Sequence, residues 1–141
     1  EGFRARESAV LRELAGLHDI VLATGGGAVL REENRRLLIQ KGTVVYLRAS
    51  FEDLWQRTRH DRNRPLLQTA DPCAKLERLV TQRDPLYHEV ATLVIDTGSQ
   101  SLRSLAHRLE QQLCEHFRVN KSIAPGYGMA LTVPWPGWGH T

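Results

Sequence analysis

The chain is 141 residues long, with 41% apolar and 25% charged side chains, a balance that suits one soluble domain with a real core and excludes a disordered or fibrous protein. A net charge of +3 is too small to imply a nucleic-acid partner, and no apolar run approaches the ~18 residues that a membrane helix needs. Cys73 and Cys114 stand far apart in no metal-type spacing and the histidines are scattered, so free thiols in a reducing, cytoplasmic setting are expected, with no metal ligands in this chain.

The chain opens at Glu1-Gly-Phe-Arg4 with no methionine and no strand or turn signal, so it reads as starting inside a domain. Residues 5–17 have helical spacing, with Val10, Leu14 and Leu17 placed to share one apolar face. His18 and Asp19 make a turn. Ile20 to Ala23 is a short apolar run that reads as a buried parallel strand and ends in Gly25-Gly-Gly27. Glu32 to Gln40 is helical and stops near Lys41-Gly42, a basic last turn followed by glycine. Thr43 to Leu47 is a second strand, rich in β-branched residues.

Ser50-Phe-Glu-Asp53 is a capping signal for the next helix, which carries Phe51, Leu54, Trp55 and Thr58 into a run of four arginines between Arg57 and Arg64. Arg64-Pro65 must leave that helix, because the residue before proline avoids helical geometry, and Gln68 to Pro72 reads as loop. Ala74 to Arg83 is helical again. Asp84-Pro85 is expected to break it, with a short helix following over Leu86 to Ala91. Leu93 to Thr97 is a third strand, and Leu102, Leu105, Ala106, Leu109 and Leu113 form a helical stripe. After Val119 the chain turns rich in glycine, proline and tryptophan with neither period, so residues 114–141 are expected to be a flexible tail outside the domain.

Strands alternating with helices imply a parallel α/β sheet, whose ligands sit beyond the carboxyl ends of the strands. Gly25, Gly26 and Gly27 lie at such an end. They match neither Gly-x-x-x-x-Gly-Lys-Ser/Thr nor Gly-x-Gly-x-x-Gly, and a tight turn or a ligand cradle would each explain them. Arg4, Arg64 and Arg83 carry the donor fork that suits carboxylates and phosphates, although each alone reads equally as a surface cation.

Taken in order, Gly-Phe-Arg-x-x-Glu, Leu-Ala-Thr-Gly-Gly-Gly-Ala, Val-Val-Tyr-Leu, Arg-Pro-Leu-Leu and Arg-x-Pro-Leu-Tyr-x-x-x-Ala closely resemble the shikimate kinase family over Glu1 to Leu113. The resemblance implies a P-loop kinase-like α/β/α domain over residues 1–113, with a lid at about 58–72, acting as a cytoplasmic monomer without nucleic-acid or membrane partners. It implies ATP-dependent phosphorylation of the 3-hydroxyl of shikimate on the way to aromatic amino acids. Arg4 and Arg83 would clamp the shikimate carboxylate, Gly25, Gly26 and Gly27 would admit the ring, and Phe3 and Glu7 would shape the pocket. Arg64 would act catalytically from the lid on the transferring phosphates, while Arg57 and Gln100 would border the adenine of ATP.

The same resemblance places the phosphate loop and an Asp-x-Asp element upstream of Arg4, so the ligands of Mg2+ are expected outside this chain. In the family's sheet order, 2-3-1-4-5, these residues would supply strands 3, 4 and 5, leaving a gap where strand 1 belongs. The chain alone is therefore expected to fold poorly and not to turn over. Another small-molecule kinase of the same fold, a non-catalytic module that binds shikimate or a partner, and nucleic-acid binding through Arg57 to Arg64 are the alternatives.

Overall fold

The structure is a computed structural model that describes residues 2–17, 20–59, 70–98, 101–119 and, by its backbone, 128–132. Helix α1 (Gly2–Ala15) leads into strand β1 (Val21–Thr24), a 3₁₀ turn (Gly26–Leu30), α2 (Glu32–Lys41) and β2 (Gly42–Arg48). Then follow α3 (Phe51–Thr58), α4 (Pro72–Val90), β3 (Leu93–Asp96), α5 (Leu102–Val119) and β4 (Gly128–Thr132). Local chemistry accounts for several of these boundaries. Ser50 accepts from the Asp53 N–H at 3.1 Å to open α3, as its spacing suggests, and Asp71 caps α4 in the same way through Ala74. Glu32 and Glu33 in the first turn of α2 and Lys41 in its last complement the helix dipole.

The sheet is parallel throughout, in the order β1-β4-β2-β3. This corrects the expectations of an unfilled gap and of a tail outside the domain. The helix after the third strand continues to Val119, and 128–132 form the strand between β1 and β2. Val21 pairs with Met129, and Met129 with Thr43. The physical reason lies in β1 and β2, whose facing N–H and C=O groups need partners wherever the sheet is buried. Any short extended segment within reach satisfies them, whatever its own periodicity.

One face of the sheet presents Val44 and Tyr46 to Leu11 of α1, Leu38 of α2, Tyr87 and Val90 of α4, and Val29 of the turn, forming the main core. Val45 and Ile95, both fully buried, alternate onto the opposite face. A second cluster joins Leu54 of α3 to Leu76 of α4 and Ala49.

Three sequence expectations fail for identifiable reasons. In α1 the buried residues are Ser8 and Leu11, flanked by half-buried Arg4 and Glu7, while Val10 is 51% exposed and Leu17 lies past the helix end. The inward face is polar around Arg4, Glu7 and Ser8, where it turns toward the glycines, and apolar at Leu11, where it meets the core. Strand β1 is an edge strand with Val21 and Ala23 exposed, rather than buried on both faces. Asp84-Pro85 does not break the helix: α4 runs through Pro85 as one piece, and burial of Tyr87 and Val90 beyond it offsets the missing N–H of proline. No helix among the described residues is long and apolar enough to cross a membrane.

Candidate functional site

At the carboxyl end of β1 the chain enters the glycine turn. Gly25 is extended (φ −68°, ψ 157°), and among the described glycines only Gly98 has positive φ, so backbone freedom does not explain the triplet. Space does, at Gly27: a Cβ built there would fall on the guanidinium of Arg4. Gly26, Gly27, Ala28 and Val29 are buried, and side chains hold the turn's carbonyls. The Tyr87 hydroxyl donates to Gly26 C=O at 2.7 Å, Asn34 Nδ2 to Ala28 C=O at 3.0 Å, and Arg35 Nη1 to Val29 C=O at 2.8 Å. Arg35 also pairs with Glu89 of α4 at 2.5 Å, which ties the end of the turn to that helix.

Arg4 reaches the turn from α1. Its Nη1 donates to Glu7 Oε1 at 2.9 Å, one helical turn on, and its Cζ lies 5.3 Å from the centroid of the Phe3 ring. The two side chains of this ion pair are only 11% and 15% exposed. Arg4 Nη2 is buried and has no hydrogen-bond partner among the described residues, and the same is true of Arg83 Nε on α4. A buried charged donor left unpaired is costly, so two of them in one neighbourhood fit an anion that supplies the missing acceptors.

Tyr87 links the pair. Burial, the largest influence, lifts its phenol above the usual tyrosine value, while the Arg83 charge, a hydrogen bond from the Arg83 side chain and the Arg4 charge pull it down. Both guanidiniums therefore lie within electrostatic reach of the same hydroxyl. Behind it, the Tyr87 and Tyr46 rings pack with centroids 4.9 Å apart, and Tyr46 donates to Asp84 Oδ1 at 2.6 Å. Burial first, then the Asp84 hydrogen bond and charge, push the Tyr46 phenol far above its ordinary range. His88 Nε2 and Arg48 Nε also approach Asp84 Oδ1, at 3.4 and 3.8 Å.

The structure thus brings together most of the residues singled out in the sequence. Arg4, Glu7, Phe3 and Gly27 are in direct association, Gly26 is bonded to Tyr87, and Arg83 stands one helical turn from Tyr87. Phe3, Glu7 and Gly25 also line a groove of about 460 Å³ between α1 and β1, together with Val10, Leu14 and Leu22. Arg57 is exposed on α3 and donates to Gly98 C=O at 3.3 Å, so it sits against the loop after β3 that leads to Gln100. Arg64, Gln100 and most of the expected lid lie outside the described residues.

Sequence reasoning assigned no role to Tyr46, Tyr87, Asp84, Asn34 or Arg35. The signal for both tyrosines was present, since each stands inside one of the recurrent blocks. Among the described residues no three His, Cys, Asp or Glu side chains converge to hold a metal ion.

A parallel α/β sheet with a glycine turn at a strand end, Arg4 against that turn and Arg83 in electrostatic reach of the Tyr87 hydroxyl bonded to it, is an arrangement that suits a small anionic ligand. The shikimate kinase family model matches residues 1–114, and the chain belongs to that family. Shikimate kinase of Cupriavidus pinatubonensis is 62% identical over 125 residues, covering 88% of this chain and 65% of its relative. Shikimate kinase of Chromobacterium violaceum is 61% identical over 113 residues, covering 80% and 61%. The chain thus spans less than two thirds of the length of these relatives. The solved shikimate kinase from Acinetobacter baumannii in complex with shikimate superposes with a TM-score of 0.74 at 48% identity, covering 82% of this chain and 64% of that one.

Proposed function

We propose that the protein to which these residues belong is an ATP-dependent kinase that phosphorylates the 3-hydroxyl of shikimate. The observation that carries this reading is the two buried guanidinium nitrogens that have no partner among the described residues, Arg4 Nη2 and Arg83 Nε, on cations that both act on the Tyr87 hydroxyl bonded to Gly26. A carboxylate between them would accept from both. Its ring would then lie against the turn of Gly25, Gly26 and Gly27 beside Phe3, with the Arg4 guanidinium held over Gly27. Glu7 holds Arg4 in place and keeps its charge from being left uncompensated when the ligand is away.

The remaining roles rest on the family. ATP would approach from the side of Arg57 and Gly98, Gln100 would border its adenine, and Arg64 would meet the transferring phosphates, where neutralising charge is the principal task. Magnesium, when bound, would draw charge from the phosphates of ATP. The 141 residues contain no Gly-x-x-x-x-Gly-Lys-Ser/Thr. By themselves they are proposed to bind shikimate without transferring phosphate, as a monomer in the cytoplasm.

Calorimetry with shikimate and no ATP tests the reading. Charge-assisted hydrogen bonds contribute roughly 1.5–3 kcal/mol each, so Arg83→Ala should weaken binding by at least about tenfold. Equal affinity in the two chains would sink the clamp, as would no binding by a wild-type chain that melts cooperatively.

A further inference from the structure

The two guanidiniums come from helices far apart in the chain, so the distance between them must be set by whatever joins α4 to the glycine turn. Tyr87 stands one helical turn after Arg83, and residues at that spacing project from one face. Its side chain is among the most buried in the protein, and its hydroxyl donates to the carbonyl of Gly26, the residue before the one on which Arg4 rests. The ring is fixed from β2 by Tyr46, which in turn holds Asp84, the immediate neighbour of Arg83. The other tie, from Glu89 through Arg35, meets the turn further along, at Val29 and Leu30.

We propose that Tyr87 is a positioning residue for the anion clamp: its hydroxyl, bonded to Gly26, sets the spacing between the Arg4 and Arg83 guanidiniums. The inference rests on reading that pair as a carboxylate clamp, and it deepens that reading. Phenylalanine at this position keeps the ring but removes the tie, leaving a buried carbonyl without its donor. The turn then shifts relative to α4 and carries the seat of Arg4 with it, while Arg83 stays on its helix.

The test uses the full 141-residue chain labelled with nitrogen-15, its arginine Nε–H signals assigned through Arg4→Lys and Arg83→Lys. In the free protein, Tyr87→Phe should move or broaden the Arg4 signal, and shikimate affinity by calorimetry should fall about tenfold, the weight of one charge-assisted bond. Glu89→Gln, which loosens the other tie, should leave the Arg4 signal in place and the affinity within about twofold. An unmoved Arg4 signal in Tyr87→Phe, or an equal displacement in Glu89→Gln, overturns the proposal. So does an affinity of Tyr87→Phe within about twofold of a wild-type chain that binds. Failure of the wild-type chain to bind shikimate would sink the substrate reading alone, because the free-protein signals still judge Tyr87. Should Tyr87→Phe melt below the assay temperature, spectra in trimethylamine N-oxide, which favours the compact chain, decide the matter on the same criterion.

Discussion

On one face of the sheet Val44 and Tyr46 meet Leu11, Val29, Leu38, Tyr87 and Val90 in a single core, whereas α5, for all its regular leucines, buries none of its residues. Leu105, Leu109 and Leu113 remain only half covered. The packed region is also the one that bears the candidate site: Tyr46 and Tyr87 belong to the core and to the network behind the clamp. In that region stability and ligand geometry rest on the same side chains, and in α5 they are separate. A periodic stripe of leucines measures what a helix is able to bury. What it does bury depends on its neighbours.

Core truncation should separate the two regions most sharply. Leu38→Ala is expected to cost about 2–5 kcal/mol in urea denaturation, as full burial implies, and Leu109→Ala under about 1.5 kcal/mol. Similar losses from the two would break the comparison. Within the packed region, Gly27→Ala tests whether binding can be harmed with little change in stability. Its backbone needs no positive φ, so the effect should fall on Arg4, with shikimate affinity down about tenfold and the urea midpoint nearly unchanged. An unchanged affinity would mean that Arg4 relocates without consequence.

The smallest effect concerns alkaline pH. Burial and Asp84 hold the Tyr46 proton on in the folded chain, while an unfolded tyrosine releases it near pH 10. Above about pH 10 the unfolded chain therefore binds fewer protons than the folded one, and stability falls as pH rises, by up to about 1.4 kcal/mol per unit for each such phenol. Tyr87 shifts in the same direction. Urea midpoints followed from about pH 8 to pH 11 should show this loss, and Tyr46→Phe should flatten it; an equally steep limb in the variant would remove Tyr46 from the account.

Much of this was legible in the chain. The order of strands and helices, the Ser50 cap and the blocks containing Arg4, the glycines and Arg83 could all be read, because local propensity and the needs of the site agree there. Legibility stopped where tertiary context overrules local signals. The inward face of α1 was hidden because Arg4, Glu7 and Ser8 occupy positions that amphipathic reasoning reserves for apolar residues. Pro85 looked like a stop, yet the helix continues because the residues beyond it belong to the core. Gly-Met-Ala-Leu-Thr carries no strand signal of its own, and the vacant ladder between β1 and β2 makes it one.

That last strand also bears on the order in which the molecule assembles. Strands β1 and β2 do not ladder to each other; each joins β4, the final element of the described chain. Closing Val21 onto Met129 is a contact of very long sequence separation, which raises the entropic cost of closure and slows folding. Among the described residues the two halves of the sheet are thus held together by a distant segment, and the pairing edges of β1 and β2 are open to wrong partners whenever β4 is away.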